Sequence, residues 1–190
     1  IADLISKKSG IEKNLINFAY CPERVLPGKI FEELEFNSRV IGGLTNKAAL
    51  ICRDFYSTFC KGELSITDAK TAEMVKLSEN CFRDVNIAFA NELSMICEKY
   101  KINTNSLIKL ANLHPRVNIL TPGCGVGGHC IAIDPWFLVD SSPEESKLIK
   151  TAREVNNQKN KWAILKIKKI AEEFKQKYNK DPSIACLGLS

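Results

Sequence analysis

Apolar positions recur at helical spacing through most of the chain and gather into short runs only in its first third. Ile1 to Lys8 predicts a helix closed by Gly10 as its left-handed C′ residue. Ile16 to Tyr20 predicts a short buried strand that runs into the loop Cys21-Pro22-Glu23-Arg24. Val40-Ile41-Gly42-Gly43 reads as a strand end, Thr45 caps a helix reaching Phe59, and Leu64 to Thr67 makes another strand. From Asp68 to Tyr100 the pattern is helical throughout, with Val75, Phe82, Val85, Phe89, Leu93, Ile96 and Tyr100 on the apolar side. A shorter helix follows from Thr104, its N-cap, to Leu113, where His114-Pro115 ends it. Ser142-Pro143-Glu144-Glu145 combines a cap, a proline at the first position and acids in the first turn. It predicts a long helix over 143–177, with Asn156-Asn157 as the place where it could break. Ser183 to Gly188 reads as the first strand of a further α/β domain.

The fold class predicted is therefore α/β plus all-α. Residues 1–67 read as the end of a Rossmann-like domain with a parallel sheet, 68–180 as a helical central domain, and 181–190 as the start of a second Rossmann-like domain. The chain thus reads as a middle piece. No GxGxxG follows a strand, so no dinucleotide site can be argued from its own motif.

Composition narrows the function classes. The 190 residues are 45% hydrophobic and 26% charged, enough to bury a core, and no apolar run approaches a membrane span. The residues from Ile1 do not read as a signal peptide. The eight cysteines are scattered without a framework, as reduced thiols of a cytoplasmic protein would be. The net charge of +5 owes much to Lys159–Lys180, where lysines alternate with apolar residues in the manner of a solvated helix face. No interleaving of basic and aromatic residues points to nucleic acid.

The most informative stretch is Gly123-Cys124-Gly125-Val126-Gly127-Gly128-His129-Cys130, followed by Asp134-Pro135. Four glycines in six positions let a ligand lie against backbone N–H groups. If Cys130 opens a helical turn, the positive end of that turn favours a thiolate, and a glycine cradle that presents a thiol suits covalent catalysis on a carbonyl. Two other readings stand beside it: a bare turn with a buried cysteine, and a zinc site using Cys124, His129 and Cys130. For zinc, no second cluster supplies the remaining ligands, so no metal is expected. On the long helix, Glu73, Lys76, Asn80 and Arg83 share one face. A solvent face with internal ion pairs explains most of that stripe, but Asn80 is a poor choice for an exposed helix interior.

TAEMVKLSENCFRDVNIAFANE, NILTPGCGVGGHCIAIDPWFLV and YCPERVLPGKIFEEL with RVIGG together resemble the UDP-glucose/GDP-mannose dehydrogenase family, in family order and over nearly the whole chain. PERVLPG and HPRVN are most similar to its UDP-N-acetylmannosamine branch. The resemblance implies an NAD-dependent oxidation of the sugar C6 alcohol to a carboxylate, with Cys130 as nucleophile. Lys76 and Asn80 are implied to stabilise the oxyanion and hold water, Glu23 to serve thioester hydrolysis, and Asp134 to join the same network. Arg24, Val25, Arg83, His114, Arg116, Gly127 and Gly128 are implied in UDP-sugar binding. The residue matching Arg116 reaches a neighbouring subunit's site, so a homodimer through helix 143–177 is implied as well. Cys124 departs from the family pattern, where small or rigid residues are more usual, and an oxidative disulfide to Cys130 would abolish activity. The resemblance further implies that this piece alone binds no NAD and does not turn over. The alternatives are the same chemistry on UDP-glucose or UDP-N-acetylglucosamine, or a non-catalytic helical dimerisation or metal-binding module.

Overall fold

A computed structural model describes residues 1–187. The chain divides into two compact units, Ile1–Ser78 and Glu79–Ser190.

The first unit is built on a three-stranded sheet in the order β1 (Ala19–Tyr20), β2 (Arg39–Gly43), β3 (Leu64–Asp68). Strands β2 and β3 run parallel, Ile41 opposite Ile66, and α3 (Asn46–Tyr56) is the crossover between them. Thr45 starts α3 as predicted, its hydroxyl accepting the Ala48 N–H at 3.1 Å. The helix stops three residues short of Phe59. Gly42 and Gly43 let α3 and the following helix close on the sheet, because a Cβ at either would strike Ala72, Ala69, Ala49 or the Thr45 carbonyl. Helix α1 (Ala2–Ser9) ends at Gly10, whose φ of 72° is the left-handed cap expected.

Two features differ from expectation. The strand predicted over residues 16–20 shrinks to two residues, since Lys13–Leu15 form a 3₁₀ turn, and it pairs antiparallel with β2. A helix α2 (Ile30–Phe36), with no side-chain cap to announce it, fills the connection to β2.

Asp68 caps α4 (Ala69–Lys99): its carboxylate accepts the Thr71 N–H at 3.0 Å and the Thr71 hydroxyl at 2.6 Å. Those bonds hold the Asp68 carboxyl below its usual range, and that stabilisation is lost on acidification through it. The second unit holds α5 (Thr104–Ala111), α6 (Asp134–Ser141) and α7 (Lys147–Tyr178). The N-cap of α5 is Asn103, not Thr104; the Asn103 side chain accepts the Ser106 N–H at 2.9 Å. Helix α7 starts at Lys147 rather than at Pro143, because Ser142 already ends α6, its N–H bonded to the Leu138 carbonyl. Ser142–Ser146 then form a turn of their own. Residues 183–187 form no strand, and Gly188 lies outside the described residues.

Asn156-Asn157 does not break α7. Asn156 is fully buried, donating to the Asp84 carboxylate at 2.8 Å and accepting from Asn91 at 2.9 Å. Arg153, 2% exposed, donates to Asp84 at 2.6 Å. Burial pushes the Asp84 carboxyl up, against Arg153 and Asn156, which pull it down. Asp84→Ala should therefore strand a buried guanidinium and lower unfolding stability by about 3–5 kcal/mol, measured by denaturant titration; a loss under about 1 kcal/mol would contradict the pairing.

Candidate active site

In the first unit the site candidates gather on the loop after β1. Pro22 is buried and Glu23 is exposed. The Glu23 carboxylate binds its own loop: Oε1 accepts the Arg24 N–H at 2.7 Å and the Val25 N–H at 3.0 Å. Oε2 lies 3.6 Å from Nη1 of Arg39, on β2. Glu33 of α2 steadies the same loop, accepting the Leu26 N–H at 2.7 Å. Lys76 of α4 donates to the Glu23 backbone carbonyl at 2.7 Å, so its ammonium is directed at this loop. The Arg24 guanidinium donates to the Ser38 carbonyl at 3.3 Å.

Arg39 opens the RVIGG segment and has no role implied by the sequence, yet it is 4% exposed, and its guanidinium lies 4.7 Å from the Tyr56 ring centroid. Burial works against its charge, and Glu23 with the Cys60 and Cys21 thiols outweighs burial and raises it.

In the second unit Asn80 is buried, and its amide donates to Oδ2 of Asp134 at 2.5 Å. The poor exposed residue is thus an interior one with a carboxylate partner. Cys130 is exposed, and its carbonyl accepts the N–H groups of Ile133 at 3.0 Å and Asp134 at 2.8 Å. Cys130 therefore opens the turn that leads into α6, with Pro135 in the first turn of that helix. Asp134 stands between the two, held by Asn80 through its side chain and by Cys130 through its N–H.

The glycine loop is anchored at its near end. The Gly123 N–H donates to the Asn91 carboxamide at 2.9 Å, which joins the loop to the buried Asp84–Arg153–Asn156 cluster. Gly125 has φ +136°, and a Cβ there would run into the Asn160 side chain. Gly128 has φ +84°, and none of the described residues stands within 4 Å of the Cβ position at Gly127 or Gly128, so that part of the loop is open among them. His114 and Arg116 lie exposed after α5, the Arg116 N–H donating to Nδ1 of His114 at 3.3 Å. Arg83 is exposed on α4.

The eight cysteines are free thiols, Cys124 and Cys130 included. Cys81 is buried, and burial with the nearby Asp84 and Asp134 charges pushes its thiol up to about 11. That environment keeps it protonated and unreactive. Lys159 departs from the solvated face expected of 159–180. It is 4% exposed, donates to Ser94 Oγ at 2.7 Å and lies 3.6 Å from the Trp162 ring centroid. Burial lowers it, with Cys124 opposing.

Among the described residues no three His, Cys, Asp or Glu side chains gather as metal ligands, and no helix is long and apolar enough to cross a membrane. Signals for the missed residues existed only as polar positions inside otherwise apolar helix faces: Asp84 and Asn91 on α4, Arg153 and Asn156 on α7.

Residues 70–158 match the family model described as the UDP-glucose/GDP-mannose dehydrogenase family, central domain. The chain belongs to this family. It is 59% identical over 175 residues to a UDP-N-acetyl-D-mannosamine dehydrogenase of Campylobacter jejuni, covering 92% of this chain and 42% of that protein. An NDP-N-acetyl-D-galactosaminuronic acid dehydrogenase of Ralstonia nicotianae is 56% identical over 179 residues, covering 94% and 41%. Among solved structures, a UDP-D-ManNAc dehydrogenase from Pyrococcus horikoshii superimposes with a TM-score of 0.83 at 46% identity, covering 97% of this chain and 43% of that one. The chain spans less than half the length of the curated relatives it matches. The mostly helical architecture with its small sheet fits part of a dehydrogenase of this family.

Proposed function

We propose that this chain supplies the catalytic loop and substrate-facing helix of an NAD-dependent UDP-sugar 6-dehydrogenase, with UDP-N-acetylmannosamine as substrate. The observation that carries the reading is the Asn80–Asp134 hydrogen bond beside Cys130. It fixes a buried amide and a carboxylate next to an exposed thiol that heads a helical turn. The similarity to named UDP-N-acetyl-D-mannosamine dehydrogenases supports this sugar; UDP-glucose and UDP-N-acetylglucosamine are the competing substrates.

The Cys130 thiolate adds to the C6 aldehyde to form a thiohemiacetal, and after oxidation the carbon is held as a thioester. Lys76 and Asn80 stabilise the oxygen that gains negative charge at each addition. In the hydrolytic step Glu23 takes a proton from water as its oxygen bonds to C6, the C6–S bond breaks, and the Cys130 thiolate is restored. Arg24, Val25, Arg83, His114, Arg116, Gly127 and Gly128 bind the UDP-sugar, the arginines neutralising its diphosphate. NAD⁺ supplies the hydride acceptor. Gly42 and Gly43, the last residues of β2, form no phosphate cradle for it, because α3 and α4 close on them. No hydride step is therefore assigned to a residue of this chain, and the chain by itself is proposed to be inactive.

Residues 1–67 are proposed as the end of the NAD-binding Rossmann-like domain, 68–180 as the central domain, and 181–190 as the start of a UDP-binding domain, in a cytoplasmic enzyme. Exposed Leu148, Ile164, Leu165, Ile167 and Ile170 on α7 support a homodimer through that helix, read by sedimentation velocity at micromolar concentration. A clean monomer across that range would remove the shared site at Arg116.

The test is product analysis with the full-length enzyme and each of the three UDP-sugars. The expected result is uronate formation with two NADH per product, fastest on UDP-N-acetylmannosamine. Aldehyde as the end product, or one NADH per turnover, would overturn the reading.

A further inference from the structure

We infer that Arg39 is a positioning residue for thioester hydrolysis, holding the Glu23 carboxylate where it can take a proton from the attacking water. The inference rests on the catalytic role proposed for Glu23 and goes beyond it.

The argument starts from a charge in an unusual place. Arg39 is the first residue of β2, inside a sheet, and is only 4% exposed. Its guanidinium is fixed on three sides: Nη2 donates to the Leu34 carbonyl at 3.3 Å, the Tyr56 ring lies 4.7 Å away, and Cys60 and Cys21 border it. Nη1 faces Oε2 of Glu23 at 3.6 Å. A planar fork held this way cannot follow a moving partner, so it selects one orientation of the carboxylate.

Glu23 is held differently. Its side chain is 58% exposed, and an ion pair with so exposed a partner contributes little to folding. The two backbone N–H bonds to Oε1 occupy one oxygen and leave Oε2 as the basic atom. Arg39 addresses that second oxygen from the protein side, at a distance just beyond a direct hydrogen bond. This separation orients the carboxylate without tying up its lone pairs. A direct bidentate bond would do the opposite and quench it as a base.

Arg39 from β2 faces the Glu23 carboxylate, whereas Lys76 from α4 binds the Glu23 backbone carbonyl rather than the carboxylate. Loss of Arg39 should therefore act on the carboxylate and leave the Lys76 contact in place. Hydrolysis is the step that needs Glu23 as a base, so the loss should fall there and spare thiol addition and oxidation.

The test compares three forms of the full-length enzyme, wild type, Glu23→Gln and Arg39→Met, by rapid mixing with NAD⁺ and UDP-sugar followed by intact and peptide mass spectrometry. Arg39→Met should keep the full burst of reduced nicotinamide and accumulate a sugar thioester on Cys130. Hydrolysis should slow by at least about tenfold, within the roughly 10²–10⁴-fold that a general base contributes. Arg39→Lys should recover much of that rate. If Arg39→Met does not fold, Arg39→Gln keeps a donor for the Leu34 carbonyl, loses the charge and reads the same step. A neutral variant that hydrolyses at the wild-type rate, or that loses the burst itself, overturns the role of Arg39. If Glu23→Gln traps no thioester, the assignment of Glu23 fails first, and the two failures are told apart.

Discussion

Cys130→Ser in the full-length enzyme should abolish uronate formation. A serine hydroxyl remains protonated near neutral pH and adds poorly to an aldehyde, so the carbon is not trapped for the second oxidation. The structure sharpens this expectation. Cys130 is exposed at the head of the turn into α6, whereas Cys81, the cysteine next to Asn80 in sequence, is buried and kept protonated. Cys81 is therefore not placed to substitute. Steady-state product assays check the prediction, and a serine variant turning over at near-normal rate would end the covalent mechanism.

Lys76→Ala should lower kcat by roughly 10²–10³-fold, with a much smaller change in substrate affinity. An ammonium aimed at a developing oxyanion acts mainly in the transition state, so its loss appears in kcat rather than in KM. Lys76 is half-buried and donates to the Glu23 carbonyl, which orients the ammonium from one side. Were the change to raise KM alone, Lys76 would be a phosphate clamp instead.

Much of this architecture was legible along the chain because its signals are local. The helix of α4 follows from apolar spacing, α3 from the Thr45 cap, and the end of α1 from Gly10. What escaped depends on partners distant in sequence. Asn156 reads locally as a helix breaker and is instead a buried crosslink to Asp84 and Asn91. Ser142-Pro143-Glu144-Glu145 carries every mark of a helix start, but Ser142 is already committed to the end of α6. Helix α6 itself is apolar on most sides and so shows no period of its own.

The candidate site divides the same way. Cys130, Asn80 and Asp134 are singled out by residue type, spacing and resemblance, and the structure joins Asn80 to Asp134 and Asp134 to Cys130. Arg39 was missed because an arginine opening a strand reads as an ordinary surface residue until its burial and its partner are seen. Lys159 was missed for the same reason, one interior lysine in a run of solvated ones.

The central claim is that Cys130 carries the sugar as a thioester, and trapping that adduct tests it most directly. Glu23→Gln enzyme, mixed with NAD⁺ and UDP-N-acetylmannosamine and digested for peptide mass spectrometry, should show the sugar mass on the peptide holding Cys130. Cys124 and Cys186, also exposed, should stay unmodified. An adduct on another cysteine, or turnover lost with no adduct anywhere, would contradict the account.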